Sequence, residues 1–151
     1  MGFPGSDGMA VALDEAQAAG GRGEVPIGAA IIAPDGRLLA RAGNRTRELN
    51  DPTAHAELLA IRAAGAALAS ERLVDCDLYV TLEPCPMCAA AIGFARIRRL
   101  YYGAPDPKGG GVDHGPRIYM HPTCHHRPEV YGGIGEAPAA ELLRSFFRER
   151  R

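Results

Sequence analysis

"DLYVTLEPCPMCAAAIGFARIRRLYYGA", residues 77–104, is the stretch on which the fold turns. "DLYVTLE" (77–83) alternates and carries β-branched and aromatic residues, which predicts a strand. "PCPMCAAAIGFA" (84–95) opens on prolines and becomes alanine-rich, which predicts a helix whose first turn holds two cysteines. "RRLYYGA" (98–104) reads as a second strand.

Outward from this unit, the same reading continues. On the N-terminal side, "PIGAAIIA" (26–33) and "RLLARAG" (37–43) flank Pro34-Asp35-Gly36, a tight turn, and read as a hairpin. "NRTRELNDPT" (44–53) is a polar loop, and a helix runs from about His55 to Ala69. "MAVALDEAQAA" (9–19) has helical apolar spacing and stops at Gly20-Gly21; the residues before it read as a frayed tail. On the C-terminal side, "PDPKGGGVDHGPRIYMHPTCHHRP" (105–128) is a long functional loop with one short turn of helix. "EVYGGI" (129–134) is a last strand and "APAAELLRSFFRER" (137–150) a terminal helix. Strands alternating with helices imply a three-layer α/β/α sandwich. The sheet is mixed, because the hairpin is antiparallel.

The totals fit one domain spanning residues 1–151 with a real core. The hydrophobic fraction of 46% and charged fraction of 23% are those of a soluble protein, and no apolar run is long enough for a membrane span. The N-terminus lacks the basic and apolar regions of a secretory signal. Of the four cysteines, Cys85 and Cys88 stand as C-x-x-C, which in a cytoplasmic chain reads as metal or redox chemistry. The formal charge of −1 divides unevenly, −5 over residues 1–90 and +4 over residues 91–151. A basic back half suits a nucleic-acid face and equally a plain surface.

"PTAHAELLA" (52–60) opens a helix with an imidazole and a carboxylate in its first turn, where an ordinary amphipathic helix needs neither. Cys85 and Cys88, three apart, share one face of another helix mouth. There the helix dipole favours thiolates. His55, Cys85 and Cys88 make three zinc ligands of suitable softness, the count of a catalytic site with its fourth position open to water. Glu57 is then free to move protons between water and substrate. Two other readings stand beside this one. C-x-x-C can be a redox pair, or half of a structural zinc site completed from His121, Cys124, His125 or His126.

"HAE" (55–57) followed by "TLEPCPMC" (81–88) matches the H-x-E…P-C-x-x-C signature of the zinc-dependent nucleoside and nucleobase deaminases. "VPIGAAI", "GNRTRELNDPTAHAE", "LYVTLEPCPMCAAAI", "YYGAPDPK" and "SFFRERR" extend the resemblance, over about residues 10–151, to the bacterial tRNA-specific adenosine deaminases. The resemblance implies a cytidine-deaminase-like fold with a five-stranded sheet, one Zn2+ per chain, a cytoplasmic homodimer, and conversion of the wobble adenosine of a tRNA anticodon to inosine. It implies zinc on His55, Cys85 and Cys88, and proton transfer by Glu57. Asn44 matches an asparagine that hydrogen-bonds the target base. Asp106 and Lys108 match a loop near the RNA backbone, and "FFRERR" a helix touching the anticodon stem-loop. Of Phe146 and Phe147, one is expected to pack and one to face substrate, and Phe147 and Arg148 are taken as substrate-binding. "GGGVDHGPRIYM" (109–120) departs from the familiar family pattern, as does the His- and Cys-rich "PTCHHRP".

Among the remaining residues, Cys76 is expected to be buried, Glu83 to position neighbours by hydrogen bonds, and His114 to be a solvated loop residue. His121 is a candidate to stack on a base. Two rivals remain open at this point. A deaminase of a free nucleobase or nucleoside, of guanine or cytosine type, has no need of a basic terminal helix. A zinc-stabilised RNA-binding protein without catalysis has no need of Glu57.

Overall fold

A computed structural model describes residues 4–150, with side chains from residue 8 onward. The strands are β1 (Gly28–Ile32), β2 (Leu38–Gly43), β3 (Asp77–Leu82), β4 (Arg99–Ala104) and β5 (Glu129–Tyr131). They form one sheet in the order β2-β1-β3-β4-β5. The helices are α1 (Pro4–Gly21), α2 (Ala56–Leu68), α3 (Pro86–Phe94) and α4 (Glu136–Glu149), with a 3-10 turn at Ile118–Met120. β1 runs antiparallel to β2 and β3, while β3, β4 and β5 are parallel, so the sheet is mixed as expected. In the hairpin turn, Asp35 accepts the Arg37 amide at 3.0 Å and Gly36 takes a φ of +89°, a conformation that favours glycine.

Alternation along the strands divides the core into two layers. Leu78 and Val80 of β3 join Ala29 and Ile31 of β1 on the face covered by α2 and α3. Tyr79 and Ile32 point the other way, against Met9 and Ala12 of α1, and α4 covers β4 on that side. Both layers are dry, which supplies most of the driving force for folding. Cys76 is fully buried, as expected.

Two boundaries differ from the sequence reading by three residues or more. Helix α1 begins at Pro4 rather than residue 9, because proline suits a first turn. The tail reading for residues 1–3 lies outside the described residues. β5 ends at Tyr131 rather than 134: Gly133 takes a φ of +81°, and Gly132 crosses the Tyr102 ring where a Cβ would collide.

The topology brings one end of the sheet together. In the β3–β4 register Leu82 faces Ala104, so Glu83–Cys88 and the loop from Pro105 leave side by side. β1 runs the opposite way, so its start lies at the same end; the Gly28 amide donates to Thr81 at 3.2 Å and the Asn44 amide to Ile27 at 3.1 Å. Three chain segments therefore converge: 44–55, 83–88 and 105–114.

Candidate metal centre and active site

His55 is the N-cap of α2 and Cys85 the N-cap of α3, both with extended backbone, and Cys88 lies in the first turn of α3 behind Pro86. Their donor atoms lie within 4.8 Å of one another. The His55 Nδ1 stands 3.6 Å from the Cys85 sulfur and 3.5 Å from the Cys88 sulfur. A tetrahedral zinc, with Zn–S of about 2.3 Å and Zn–N of about 2.0–2.1 Å, spans an N···S edge of roughly 3.6 Å. The donor set thus fits zinc by both chemistry and spacing. A hydrogen bond from Cys88, together with His55, draws the Cys85 thiol down to about 4 against its burial, while donation to Cys85 and burial push the Cys88 thiol far up. A divalent cation bound there would take the place of the proton the sulfurs share.

Glu57 lies in the first turn of α2 and is 4% exposed. Burial raises its carboxyl to about 7, against the local amide and neighbouring His55 and Cys88. A carboxyl poised near neutrality can both take and return a proton. Asn44 is buried beside it, and its Oδ1 accepts the Ala56 amide at 2.8 Å, satisfying a free N–H at the mouth of α2. The NH2 half of the carboxamide is left to donate. The loop behind Asn44 rests on buried Glu24, which accepts the Arg47 amide at 3.1 Å and the Glu48 amide at 2.8 Å.

Glu83 is fully buried and supports the other loop. Its Oε1 accepts the Asp106 amide at 3.0 Å. Its Oε2 accepts the amides of Val112, Asp113 and His114 at 3.0–3.2 Å. The His114 ring sits 2.7 Å from Oε1. Burial raises its carboxyl, but these donors prevail and hold it below the usual carboxylate range. His114 is therefore not the solvated residue that its loop composition suggested; a partner 31 positions away holds it. Asp106 shapes its own turn by accepting the amides of Lys108 and Gly109, and Lys108 is exposed. Glu83 thus positions neighbours by hydrogen bonds, as expected, but nothing local in the sequence marks its partners, 23–31 residues away.

The remaining candidates lie apart from the metal centre. His121 is exposed and bonded to the Pro116 carbonyl, and it lines a groove of about 420 Å³ along the outer side of α3, beside Phe94 and Arg96. None of His55, Glu57, Cys85 and Cys88 lines that groove. Cys124 donates to the His126 carbonyl and the His126 ring bonds the Ile97 carbonyl at 2.7 Å, so these two are turned onto backbone, while His125 is exposed. Among the described residues the three donors at the helix mouths are the only such cluster, and a fourth structural ligand from 121–126 is not brought to them. On α4, Phe146 is buried and Phe147 is 50% exposed. Arg148 reaches Glu141 at 3.4 Å and Ser145 at 3.2 Å, and Arg144 shares the same Glu141. Arg150 lies over the Phe146 ring at 3.5 Å from its centre. Arg151 lies outside the described residues.

Comparison with known proteins agrees with this geometry. Residues 5–104 match the model of the cytidine and deoxycytidylate deaminase zinc-binding region. The chain is 66% identical, over 143 residues, to a tRNA-specific adenosine deaminase of Agrobacterium fabrum, covering 95% of this chain and 93% of that one. A solved tRNA:A34 deaminase, studied for A-to-I editing at the wobble position, superposes with a TM-score of 0.89 at 64% identity, covering 91% of this chain and 99% of that one. A guanine deaminase from Nitrosomonas europaea superposes with a TM-score of 0.81 at 24% identity, over 93% of this chain and 83% of that one, a likeness of fold.

Proposed function

The chain belongs to the zinc-binding cytidine and deoxycytidylate deaminase family, and from that premise we propose that it hydrolyses the wobble adenosine of a tRNA to inosine and ammonia. The single observation that carries the chemistry is the three-donor set at two helix mouths with the buried Glu57 carboxyl beside it. His55, Cys85 and Cys88 hold the zinc. When bound there, zinc supplies the nucleophile by acidifying water toward a pKa of about 7. Glu57 takes one proton from the attacking water and delivers it to N1 of the adenine, then takes the second from the hydroxyl formed at C6 and delivers it to the amine, which departs as ammonia. Asn44, fixed by its bond to the Ala56 amide, turns its NH2 toward the base. The base comes from an anticodon stem-loop, where it is already largely unpaired, so extruding it costs at most a few kcal/mol.

Asp106, Lys108, Phe147 and Arg148 are proposed to meet the RNA, and His121 to stack on a base. This reading takes the whole chain as a single deaminase domain. A homodimer is supported by Phe94 at the end of α3, 76% exposed, since an aromatic side chain that open suits a two-fold contact. A cytoplasmic location follows from the substrate. Among the described residues no helix is long and apolar enough to cross a membrane.

The test is an inosine assay on an anticodon stem-loop with adenosine at the wobble position, run beside free adenosine, guanine and cytosine. Inosine in the stem-loop is expected. Turnover of a free base with none in the stem-loop would overturn the substrate, and zinc binding with no turnover anywhere would overturn the enzyme.

A further inference from the structure

We propose that Glu83 is a positioning residue for RNA binding: its buried carboxylate holds the loop 106–114 against the metal-bearing turn, so that the loop forms one wall of the substrate site. The proposal rests on the tRNA reading above. Its physical basis is the number and kind of groups that converge. A single carboxylate accepts four backbone amides, from Asp106, Val112, Asp113 and His114, and sits against the His114 ring. Charged acceptors make stronger hydrogen bonds than neutral ones, and buried amides left without a partner are costly. The loop's other ties are its own turn at Asp106, the backbone bonds of Gly111 and the Tyr102–Asp113 bond. Between Pro105 and Gly115 it has no strand or helix, and three of its residues are consecutive glycines.

The glycines are part of the device. A Cβ on Gly110 would collide with the Glu83 carboxylate and come within 2.6 Å of the Asp106 carbonyl. A Cβ on Gly111 would come within 2.6 Å of Pro86 and 2.9 Å of Cys85, and the Gly111 amide donates to the Pro84 carbonyl at 2.8 Å. The loop therefore lies directly on the turn that carries Cys85. Tyr102 ties it from the sheet by donating to Asp113. On its outer side the loop exposes Lys108, with Arg117 just beyond. On the tRNA reading, the RNA that delivers a base to the metal centre runs past these cations. A loop set by one buried carboxylate presents them in one arrangement, which lowers the ordering cost of binding.

Two variants disturb the device from opposite sides. Glu83→Gln keeps the shape of the side chain but turns a donor toward amides that need an acceptor. Gly110→Ala leaves the carboxylate intact and lifts the loop from it. For both, steady-state kinetics on the anticodon stem-loop should show KM raised by about tenfold, with kcat changed by less than about threefold and zinc content unaltered. Hydrogen exchange at the Asp113 and His114 amides should speed up in both. A merely structural role would instead lower the melting temperature and the active fraction, reducing kcat at constant KM, and that result overturns the proposal. Loss of zinc in Glu83→Gln also overturns it, because the residue would then serve the metal turn. Wild-type turnover with KM unchanged in both variants overturns this proposal alone. A wild type that leaves the stem-loop adenosine untouched overturns the tRNA reading as well.

Discussion

Residues up to Ala104 and residues beyond it are built on different plans. The groups of the first part sit at the ends of regular elements and are largely enclosed. His55 and Cys85 cap helices, Cys88 is buried, and Glu57 is 4% exposed. Those of the second part ride on a glycine-rich loop or on the outer face of α4, where the Arg148 side chain is 67% exposed. The family-wide zinc-binding region ends at Ala104, while the likeness to the tRNA-specific deaminase of Agrobacterium fabrum extends over 143 residues. Enclosed groups at element ends keep atoms in place within the tolerance that chemistry requires. Exposed groups on a loop and a terminal helix can vary with little effect on the buried groups, and the proposed RNA contacts fall there.

The largest effect should come from the first part. Cys85→Ala or Cys88→Ala leaves two protein donors, too few to hold zinc. Elemental analysis should fall from one zinc per chain to near zero and turnover should vanish; a variant that keeps both metal and activity would break the comparison at its base. Glu57→Ala should differ sharply from these. It should retain zinc and fold, because the carboxyl is no ligand, yet lose about 10²–10⁴-fold or more in kcat, since one group serves successive proton transfers. Near-normal kcat in a zinc-loaded Glu57→Ala protein would remove the proposed proton carrier.

This contrast also explains what could be read from the sequence. The zinc set was legible because H-x-E and C-x-x-C are short-range patterns of distinctive residue types, and the helix mouths were marked by prolines. The element order was legible from periodicity. The Glu83–His114 pair was not, because the two meet only after β3 and β4 pair in parallel, and a glutamate at a strand end looks like any other. The end of β5 was misjudged because "YGGI" continues a strand pattern while Gly133 needs a positive φ. The arginines of α4 read as free cations. The Glu141 that engages two of them lies three and seven residues upstream, on the same helical face.

Glu24 offers a smaller effect that sharpens the comparison from the stability side. Burial raises its carboxyl, but the amides of Glu48 and Arg47 and the Thr46 hydroxyl prevail and hold it low. A carboxylate with a depressed folded pKa contributes stability above its unfolded value of about 4.3 and loses it as pH falls through the lower folded value. Glu24→Gln should therefore cost about 1–3 kcal/mol at pH 7. Thermal melts should show a gap from wild type that is full at neutral pH and closes as pH drops below about 4. A gap independent of pH would mean that packing rather than charge holds the 44–48 loop.

The smallest effect is expected on α4. Glu141 carries one charge and engages both Arg144 and Arg148, so the helix face keeps a net positive charge beside exposed Phe147. Exposed ion pairs of this kind are weak, so they can reopen toward a phosphate at little cost. Removing Phe146 would open the core, since it is 8% exposed and lies under Arg150. The informative substitutions are therefore Phe147→Ala and Arg148→Ala, not a truncation. Arg148→Ala should weaken binding of the stem-loop a few-fold. If Arg148 neutralises one phosphate, it should also flatten the log–log salt dependence by roughly 0.7 for single-stranded RNA. Phe147→Ala should weaken binding by about 1–3 kcal/mol with the salt slope unchanged, because stacking releases no counterions. Melting temperature and zinc content should hold in both. Unchanged affinity and slope in Arg148→Ala would make this arginine solvated surface. The same silence in Phe147→Ala would take α4 out of the substrate site and leave RNA contact to the loop that Glu83 holds.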